Sequence, residues 1–183
     1  MAEPIRDRWA QWLLERRHGG DPEDLKVTMD FLIPVRDRVL RNAALTGGEI
    51  LLDVGAGDGL VAFGALELVG EDGRVIFTDV SQELLDHSRS LAREMDVLDR
   101  CEFVQAPAED LSAVDDASVD AVTTRSVLIY VRDKRRAFEE FPGSSGPAAG
   151  SRSSSPSTVS RIRSLRTSSE GTMWRRSRTS RTK

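Results

Sequence analysis

The feature that most constrains this chain is a glycine-rich turn between a short apolar run and a helical pattern. Residues 50–54 read ILLDV, residues 55–59 read GAGDG, and apolar residues recur at helical spacing over 60–69. A short apolar run bounded by glycines is typical of a strand buried on both faces. Glycine lets the backbone turn sharply and approach a ligand without a Cβ in the way. The sequence therefore predicts a strand, a tight turn and a helix in succession.

The same alternation continues towards the C-terminus. Further strands are predicted at 74–79, 101–104 and 119–124. Ser81 can cap a helix whose buried stripe runs to Met95, and another helix is expected around residues 135–141. Strands that alternate with helices imply an α/β fold, with a parallel Rossmann-like sheet, helices on both faces and right-handed crossovers. Ligands of such sheets bind beyond the carboxyl ends of the strands.

The first 46 residues read as helices. Trp9 and Trp12 lie at helical spacing and are expected to form a packing face. Pro22 suits the first turn of a second helix, and Pro34 is expected to break or restart that helix. We expect residues 1–46 to form a helical segment separate from the α/β domain of residues 47–141.

The composition changes abruptly after residue 141. Residues 142–183 contain nine of the 26 lysines and arginines but only one of the 30 acidic residues, and serine, arginine and threonine dominate. So few large apolar side chains cannot offset the entropy cost of ordering the segment. The sequence predicts a disordered basic tail attached to an acidic body.

A carboxylate follows the second predicted strand. Asp79 lies twenty residues beyond Gly59, where it can accept both hydroxyl hydrogens of a ribose. Dinucleotide folds require a further glycine where this chain has Leu60, and Asp58 would repel a pyrophosphate. A sulfonium cofactor with an amino-acid tail tolerates these acids better, because its ammonium can pair with Asp53.

These motifs resemble those of class I S-adenosylmethionine-dependent methyltransferases. ILLDVGAGDG (residues 50–59) is similar to their first motif, and FTDVS (77–81) to their acidic second motif. The stretches VDAV (119–122) and VLIYV (127–131) resemble their fourth strand and the loop after it. The resemblance covers residues 48–141 and is nearest to the small-molecule enzymes, including those of the ubiquinone and menaquinone type.

The resemblance implies cofactor-binding roles by position. Asp79 would bind the ribose, Val80 would pack on the adenine, and Arg125, with Ser126, would border the methionine part and the transferred methyl group. Many members have an aspartate where this chain has Pro107, which leaves Glu109 as a substitute at the adenine edge. The cofactor-binding residues implied in this way are Asp53, Gly55, Ala56, Gly57, Asp79, Val80, Ala108, Glu109 and Arg125.

Methyl transfer from S-adenosylmethionine to a small-molecule acceptor is the activity that the resemblance implies, with residues 1–46 as the substrate cap. The electrophile is part of the cofactor, so the protein mainly orients the acceptor, and no catalytic residue is identified. Tyr130 can flank the sulfonium, but core packing is the expected role. Two alternatives stay open: an inactive relic that at most binds the cofactor, and a fragment of an NAD(P)-binding oxidoreductase.

Composition and residue spacing argue against a membrane-spanning, metal-binding or nucleic-acid-binding protein. No apolar run reaches the ~18 residues of a membrane span. Cys101 is the only cysteine and is expected in the core, which favours a reducing, cytoplasmic location. His18 and His87 lack a metal-ligand spacing, so no metal is expected. The basic tail lacks the interleaved aromatic residues that would favour nucleic-acid binding.

The abrupt change of composition suggests a shift of reading frame near residue 142. GC-rich codons permitted for residues 142–160, when read two nucleotides later, encode GFFGPGGRLSLFEPINRF, a glycine turn followed by an alternating apolar strand. The expectation is that the C-terminal strands of the sheet are missing, that the strand at 119–124 has an exposed edge, and that the chain is weakly active or inactive. A genuine disordered tail is the alternative.

Overall fold

The computed structural model describes residues 22–114, 119–141 and 157–161. The strands are β1 (Ile50–Val54), β2 (Arg74–Asp79), β3 (Cys101–Gln105), β4 (Ala121–Arg125) and β5 (Ser157–Arg161). They form one sheet in the order β3-β2-β1-β4-β5. The first four strands pair in parallel with one another, so the predicted α/β fold class is confirmed.

Helices connect these strands. They are α1 (Pro22–Ala43), α2 (Leu60–Val69), α3 (Gln82–Glu94) and α4 (Lys134–Glu140), with a short 3₁₀ helix at Leu98–Arg100. The N-cap of α3 is as predicted, because the Leu84 amide donates to Ser81 Oγ at 3.1 Å. Met95, predicted in the buried stripe of α3, is instead 53% exposed, since the helix ends one residue before it.

The expected break at Pro34 does not occur. α1 runs without interruption from Pro22 to Ala43, with Pro34 inside it on an exposed position. A proline in a helix interior forfeits one backbone hydrogen bond and strains the preceding turn. Leu32 and Val39, on either side of Pro34, are both buried. The helix stays continuous because packing on both sides of the proline outweighs this local penalty.

Apolar side chains cover both faces of the parallel strands. One face packs against α1, α2 and α3, and the other packs against α4 and the segments that follow β3 and β4. The largest fully buried side chains of the two faces are Leu51, Phe77, Val75, Leu85 and Val69 on the first and Leu52, Val54, Val119, Val122, Leu111 and Phe141 on the second. Burial on both faces holds β1, β2 and β4 in register, and their carboxyl ends therefore meet at one edge of the sheet.

The predicted disorder of the whole tail is wrong for residues 157–161. These residues form β5, which pairs antiparallel with β4 from Ala121↔Arg161 to Arg125↔Ser157. The expectation of an unpaired β4 edge is wrong for the same reason, because β5 takes the hydrogen bonds of that edge. The other tail residues, and Trp9 and Trp12, lie outside the described residues. Within the described part of the chain, no helix has the length and apolarity to cross a membrane.

Candidate functional site

The glycine-rich turn that follows β1 adopts a backbone that only glycine accepts without strain. Gly55, Gly57 and Gly59 have φ angles of 69°, 59° and 82°, which lie in the left-handed region. A Cβ on Gly55 would also collide with the side chain of Val127, which follows β4. The turn therefore lies directly against the segment after β4, as the alternating glycines of the sequence require.

Asp79, the last residue of β2, connects that turn to the next loop. Its Oδ2 accepts the Gly57 amide and its Oδ1 accepts the Ser81 amide, both at 2.9 Å. The carboxylate is only 7% exposed. A carboxylate has about four lone-pair positions, so Asp79 can accept hydroxyl hydrogens from a ligand in addition to these amides. The residue predicted to bind a ribose thus also shapes the turn beside it.

Asp53, in β1, is a buried acid with an altered titration. It is 2% exposed, and the hydroxyl of Thr123 in β4 donates to its Oδ1 at 2.8 Å. Burial raises the pKa of Asp53 from 3.8 to about 7; the bonds from Thr123 and from the Ala62 backbone oppose this, while the charges of Asp79 and Asp58 add to it. The hydrogen bonds offset only part of the cost of burying this charge. A cationic ligand would therefore suit the carboxylate, because it would stabilise the charged form.

A cavity of about 410 Å³ opens at the carboxyl ends of β1, β2 and β4. Its walls come from the glycine turn, the starts of α2 and α3, the loop after β3, the segment after β4, and one residue of α1. The lining residues are Leu32, Asp53, Gly55, Ala56, Gly57, Asp58, Leu60, Val61, Asp79, Val80, Leu84, Ala106, Ala108, Glu109, Arg125, Ser126, Val127, Tyr130 and Val131. Its place is where ligands of open α/β sheets bind.

Every residue that the sequence assigned to cofactor binding lines this cavity. Asp53 and residues 55–57 line it from β1 and the turn that follows, Asp79 and Val80 from the end of β2, and Ala108 and Glu109 from the loop after β3. Arg125 lines the side formed by β4. Pro107 is exposed and is not among the lining residues. The structure brings the nine residues together, and their individual binding roles stay predictions.

Some residues of the site were assigned another role from the sequence or were not identified from it. Tyr130 was expected to pack in the core, but it is 57% exposed and lines the cavity. Leu32, a buried residue of α1, also lines the cavity, but no sequence motif marks that part of the chain. Thr123 is the hydrogen-bond partner of Asp53. Its position opposite Asp53 on the neighbouring parallel strand could have identified it from the sequence.

Within the described ranges, the remaining titratable groups give no sign of nucleophilic or metal chemistry. Cys101 is half-buried and packs against the apolar cluster that includes Phe77. Burial raises the pKa of its thiol to about 11, which keeps it protonated at neutral pH. Among the described residues, no group of three or more histidine, cysteine or acidic side chains could hold a metal ion.

Comparison with known sequences agrees with the resemblance of the motifs to methyltransferases. The family model described as a methyltransferase domain matches residues 51–143. A ubiquinone/menaquinone biosynthesis C-methyltransferase of Klebsiella pneumoniae is 34% identical over 94 residues. That alignment covers 51% of this chain and only 37% of the relative, so the chain corresponds to little more than a third of the curated protein.

Solved structures share the fold. A S-adenosylmethionine-dependent methyltransferase from Aquifex aeolicus superposes with a TM-score of 0.52 at 24% identity, over 57% of this chain and 55% of that one. The [4+2]-cyclase SpnF superposes with a TM-score of 0.53 at 28% identity, over 58% of this chain and 38% of that one. One relative of the same fold is thus named for a cyclisation, so the fold by itself does not define the reaction.

Proposed function

Because the chain belongs to the class I S-adenosylmethionine-dependent methyltransferase family, we propose that it transfers a methyl group from this cofactor to a small-molecule acceptor. The observation that carries the proposal is the cavity in which the glycine turn, Asp79 and the buried Asp53 meet. The fold is the Rossmann-like sheet of this family, and its cofactor is S-adenosylmethionine.

The nucleoside end of the cofactor fits the side of the cavity formed by β2 and β3. We place the ribose at Asp79, because a carboxylate accepts hydroxyl hydrogens. Val80, which is 49% exposed, offers an apolar surface for the adenine ring, and the small Ala108 leaves room beside it. Glu109 is half-buried at the same end and lies where it can meet the adenine edge.

The amino-acid end fits the opposite side. Asp53 would accept the ammonium, because its buried carboxylate gains most from a cationic partner. Arg125 carries the single guanidinium or ammonium group in the described cavity lining and would bind the carboxylate. Residues 55–57 would pass beside the methionine chain, since glycines permit a close approach of the backbone.

The cofactor supplies a methyl group already activated on a sulfonium sulfur, so this chain mainly binds and orients. Leu32, Val127, Tyr130 and Val131 line the cavity where α1 and the segment after β4 form its wall. These side chains would hold an acceptor with apolar surface and exclude water around the reacting atoms. We propose that residues 1–46 act as the cap on that side, consistent with the contribution of Leu32 from α1. Resemblance to curated C-methyltransferases raises carbon as a candidate acceptor atom.

The test is the binding of S-adenosylhomocysteine, measured by titration calorimetry. Asp79→Ala should weaken binding more than tenfold, because a charge-assisted contact worth roughly 1.5–3 kcal/mol is lost. Asp72→Ala, at an exposed turn outside the cavity, is the matched control and should bind normally. Circular dichroism verifies that both variants are folded. Failure of the unaltered chain to bind, or protection by NADH in its place, would overturn the proposal.

The tail bears on how much activity the chain has. We propose that residues from 142 onward are translated in a shifted frame, which is supported by the change of composition there and by the family match that ends at residue 143. Reading the gene's nucleotide sequence tests this directly. If neither alternative frame after the Phe141 codon stays open and encodes an apolar strand, the tail is genuine. A chain restored to the other frame should bind the same cofactor and unfold at higher temperature.

A further inference from the structure

A serine interrupts the apolar buried face of α3. The buried residues of this helix are Leu84, Leu85, Ser88 and Ala92, and Ser88 is completely buried. A hydroxyl buried without a hydrogen bond is costly, and a serine within a helix commonly returns its hydrogen bond to the carbonyl four residues before it. The Ser88 hydroxyl instead donates to the carbonyl oxygen of Gly57, at 3.3 Å. The helix therefore contacts the glycine turn through a buried polar side chain.

Gly57 is held on both sides of its own backbone. Its amide donates to Asp79 Oδ2 at 2.9 Å, and its carbonyl accepts the Ser88 hydroxyl. Glycine occupies left-handed and right-handed conformations about equally well, so its own preference does not select the φ of 59° found here. The two hydrogen bonds supply that selection and favour one orientation of the turn.

The other oxygen of Asp79 connects the same network to the start of α3. Asp79 Oδ1 accepts the Ser81 amide at 2.9 Å, and Ser81 caps the helix. Ser88 follows Ser81 by about two helical turns, so the two attachments lie roughly 10 Å apart along a rigid helix. The turn is therefore fixed relative to the carboxylate of Asp79 at two separate points.

We propose that Ser88 is a positioning residue for the methyl donor: by holding the Gly57 carbonyl, it keeps the Gly57 amide on Asp79 and so orients the carboxylate assigned to the ribose. This inference rests on the proposed function. Without the hydroxyl, the turn would spend part of its time in orientations in which Asp79 lacks one of its amides. The apparent dissociation constant rises as the binding-competent fraction falls. Ser88 thus acts on affinity although it is not among the residues that line the cavity.

The dissociation constant of S-adenosylhomocysteine, measured by calorimetry, tests this role. Ser88→Ala should weaken binding about fivefold, which is ~1 kcal/mol at about 1.4 kcal/mol per tenfold and within the usual contribution of a hydrogen bond. Ser90→Ala is the matched control in the same helix. The Ser90 hydroxyl donates to the carbonyl of Asp86, four residues before it, at an exposed position, so this variant should bind normally.

A comparison of affinity with stability separates positioning from packing. Ser88→Thr keeps the hydroxyl but adds a methyl group at a completely buried position, so it should lower the urea midpoint and retain native affinity. Ser88→Ala should leave the midpoint nearly unchanged, because the better helix propensity of alanine offsets the lost hydrogen bond. The same order of variants in both measurements would overturn the positioning role, as would native affinity of Ser88→Ala.

The path through Asp79 is tested by a double-mutant cycle. In an Asp79→Ala background, Ser88→Ala should weaken binding less than twofold, because the carboxylate that it positions is absent. An equal fivefold loss in both backgrounds would overturn this path.

A measurement on the ligand-free chain distinguishes failure of this inference from failure of the proposed function. The Gly57 amide should exchange with solvent faster in Ser88→Ala than in Ser90→Ala, as measured by nuclear magnetic resonance, because its hydrogen bond to Asp79 opens more often. Equal exchange rates would overturn the inference and leave the proposed function intact. Failure of the unaltered chain to bind S-adenosylhomocysteine would overturn the proposed function itself.

Discussion

Asp53→Asn should make the folded chain more stable at alkaline pH. The carboxylate lies almost completely buried between β1, β4 and α2, where it accepts a hydrogen bond from Thr123. An asparagine has the same shape and can still accept from the Ala62 backbone while its amide donates to the Thr123 hydroxyl. The substitution therefore removes a buried charge without creating a cavity.

The magnitude follows from the raised pKa of Asp53. Between pH 3.8 and about 7 the folded chain keeps a proton that the unfolded chain releases. The free energy of unfolding therefore falls as the pH rises through this window. At roughly 1.4 kcal/mol per pH unit, the loss reaches about 4 kcal/mol at pH 8 and less than half of that at pH 5. The asparagine variant lacks this loss, so its advantage over the unaltered chain should grow by about 2–3 kcal/mol between pH 5 and pH 8.

Urea unfolding followed by circular dichroism at the two pH values measures this difference. The neighbouring acids Asp58 and Asp79 and the lining cation Arg125 are present in both chains, so their own titration largely cancels in the comparison. Asp72→Asn, at an exposed turn, should show no such dependence on pH. An advantage of Asp53→Asn that is the same at pH 5 and pH 8 would show that the buried charge is not the cause.

Three further changes address single contacts. Thr124→Val should raise the free energy of unfolding by about 1 kcal/mol, because the Thr124 hydroxyl is buried with no hydrogen-bond partner in the described structure; a lower urea midpoint would contradict this. Gly55→Ala should abolish binding of S-adenosylhomocysteine, because its φ is 69° and its Cβ would collide with Val127; calorimetry showing native affinity would refute the argument. Binding of S-adenosylhomocysteine should weaken as the pH falls below 7, since Asp53 must lose its proton to meet the ammonium of the ligand; a flat profile between pH 5 and 7 would exclude that role.

The site could be predicted from the sequence because its geometry is local. A strand, a turn of alternating glycines and an acid at the end of the next strand determine where the backbone bends and where Asp79 lies. Parallel pairing then brings Gly57 and Asp79 within hydrogen-bond distance. The strand, the turn and the acid each depend on a few neighbouring residues, and the parallel pairing follows from the alternation of strands and helices along the chain.

The features that were not predicted depend on what packs against them. Pro34 by itself predicts a helix break, but the burial of Leu32 and Val39 on either side of it keeps the helix continuous. Tyr130 looks like a core residue because it lies between apolar neighbours, yet its ring is more than half exposed at the cavity. Propensity and periodicity describe a residue's own preference, and tertiary burial can override both.

β5 is the clearest example of a feature that depends on its structural neighbours and could not be predicted from its own sequence. Composition argues against order in the tail, because the segment has too little apolar surface to offset its own ordering. That reasoning treats the tail alone, whereas β4 presents a row of backbone donors and acceptors along an edge that is buried on both faces. Such an edge pairs through its backbone and requires little of the incoming side chains. The five residues STVSR, which include two β-branched side chains, satisfy that requirement by pairing from Ala121 to Arg125. The order at 157–161 therefore depends more on the edge of β4 than on the sequence of the tail. It is compatible with a tail translated in a shifted frame and with a genuine tail.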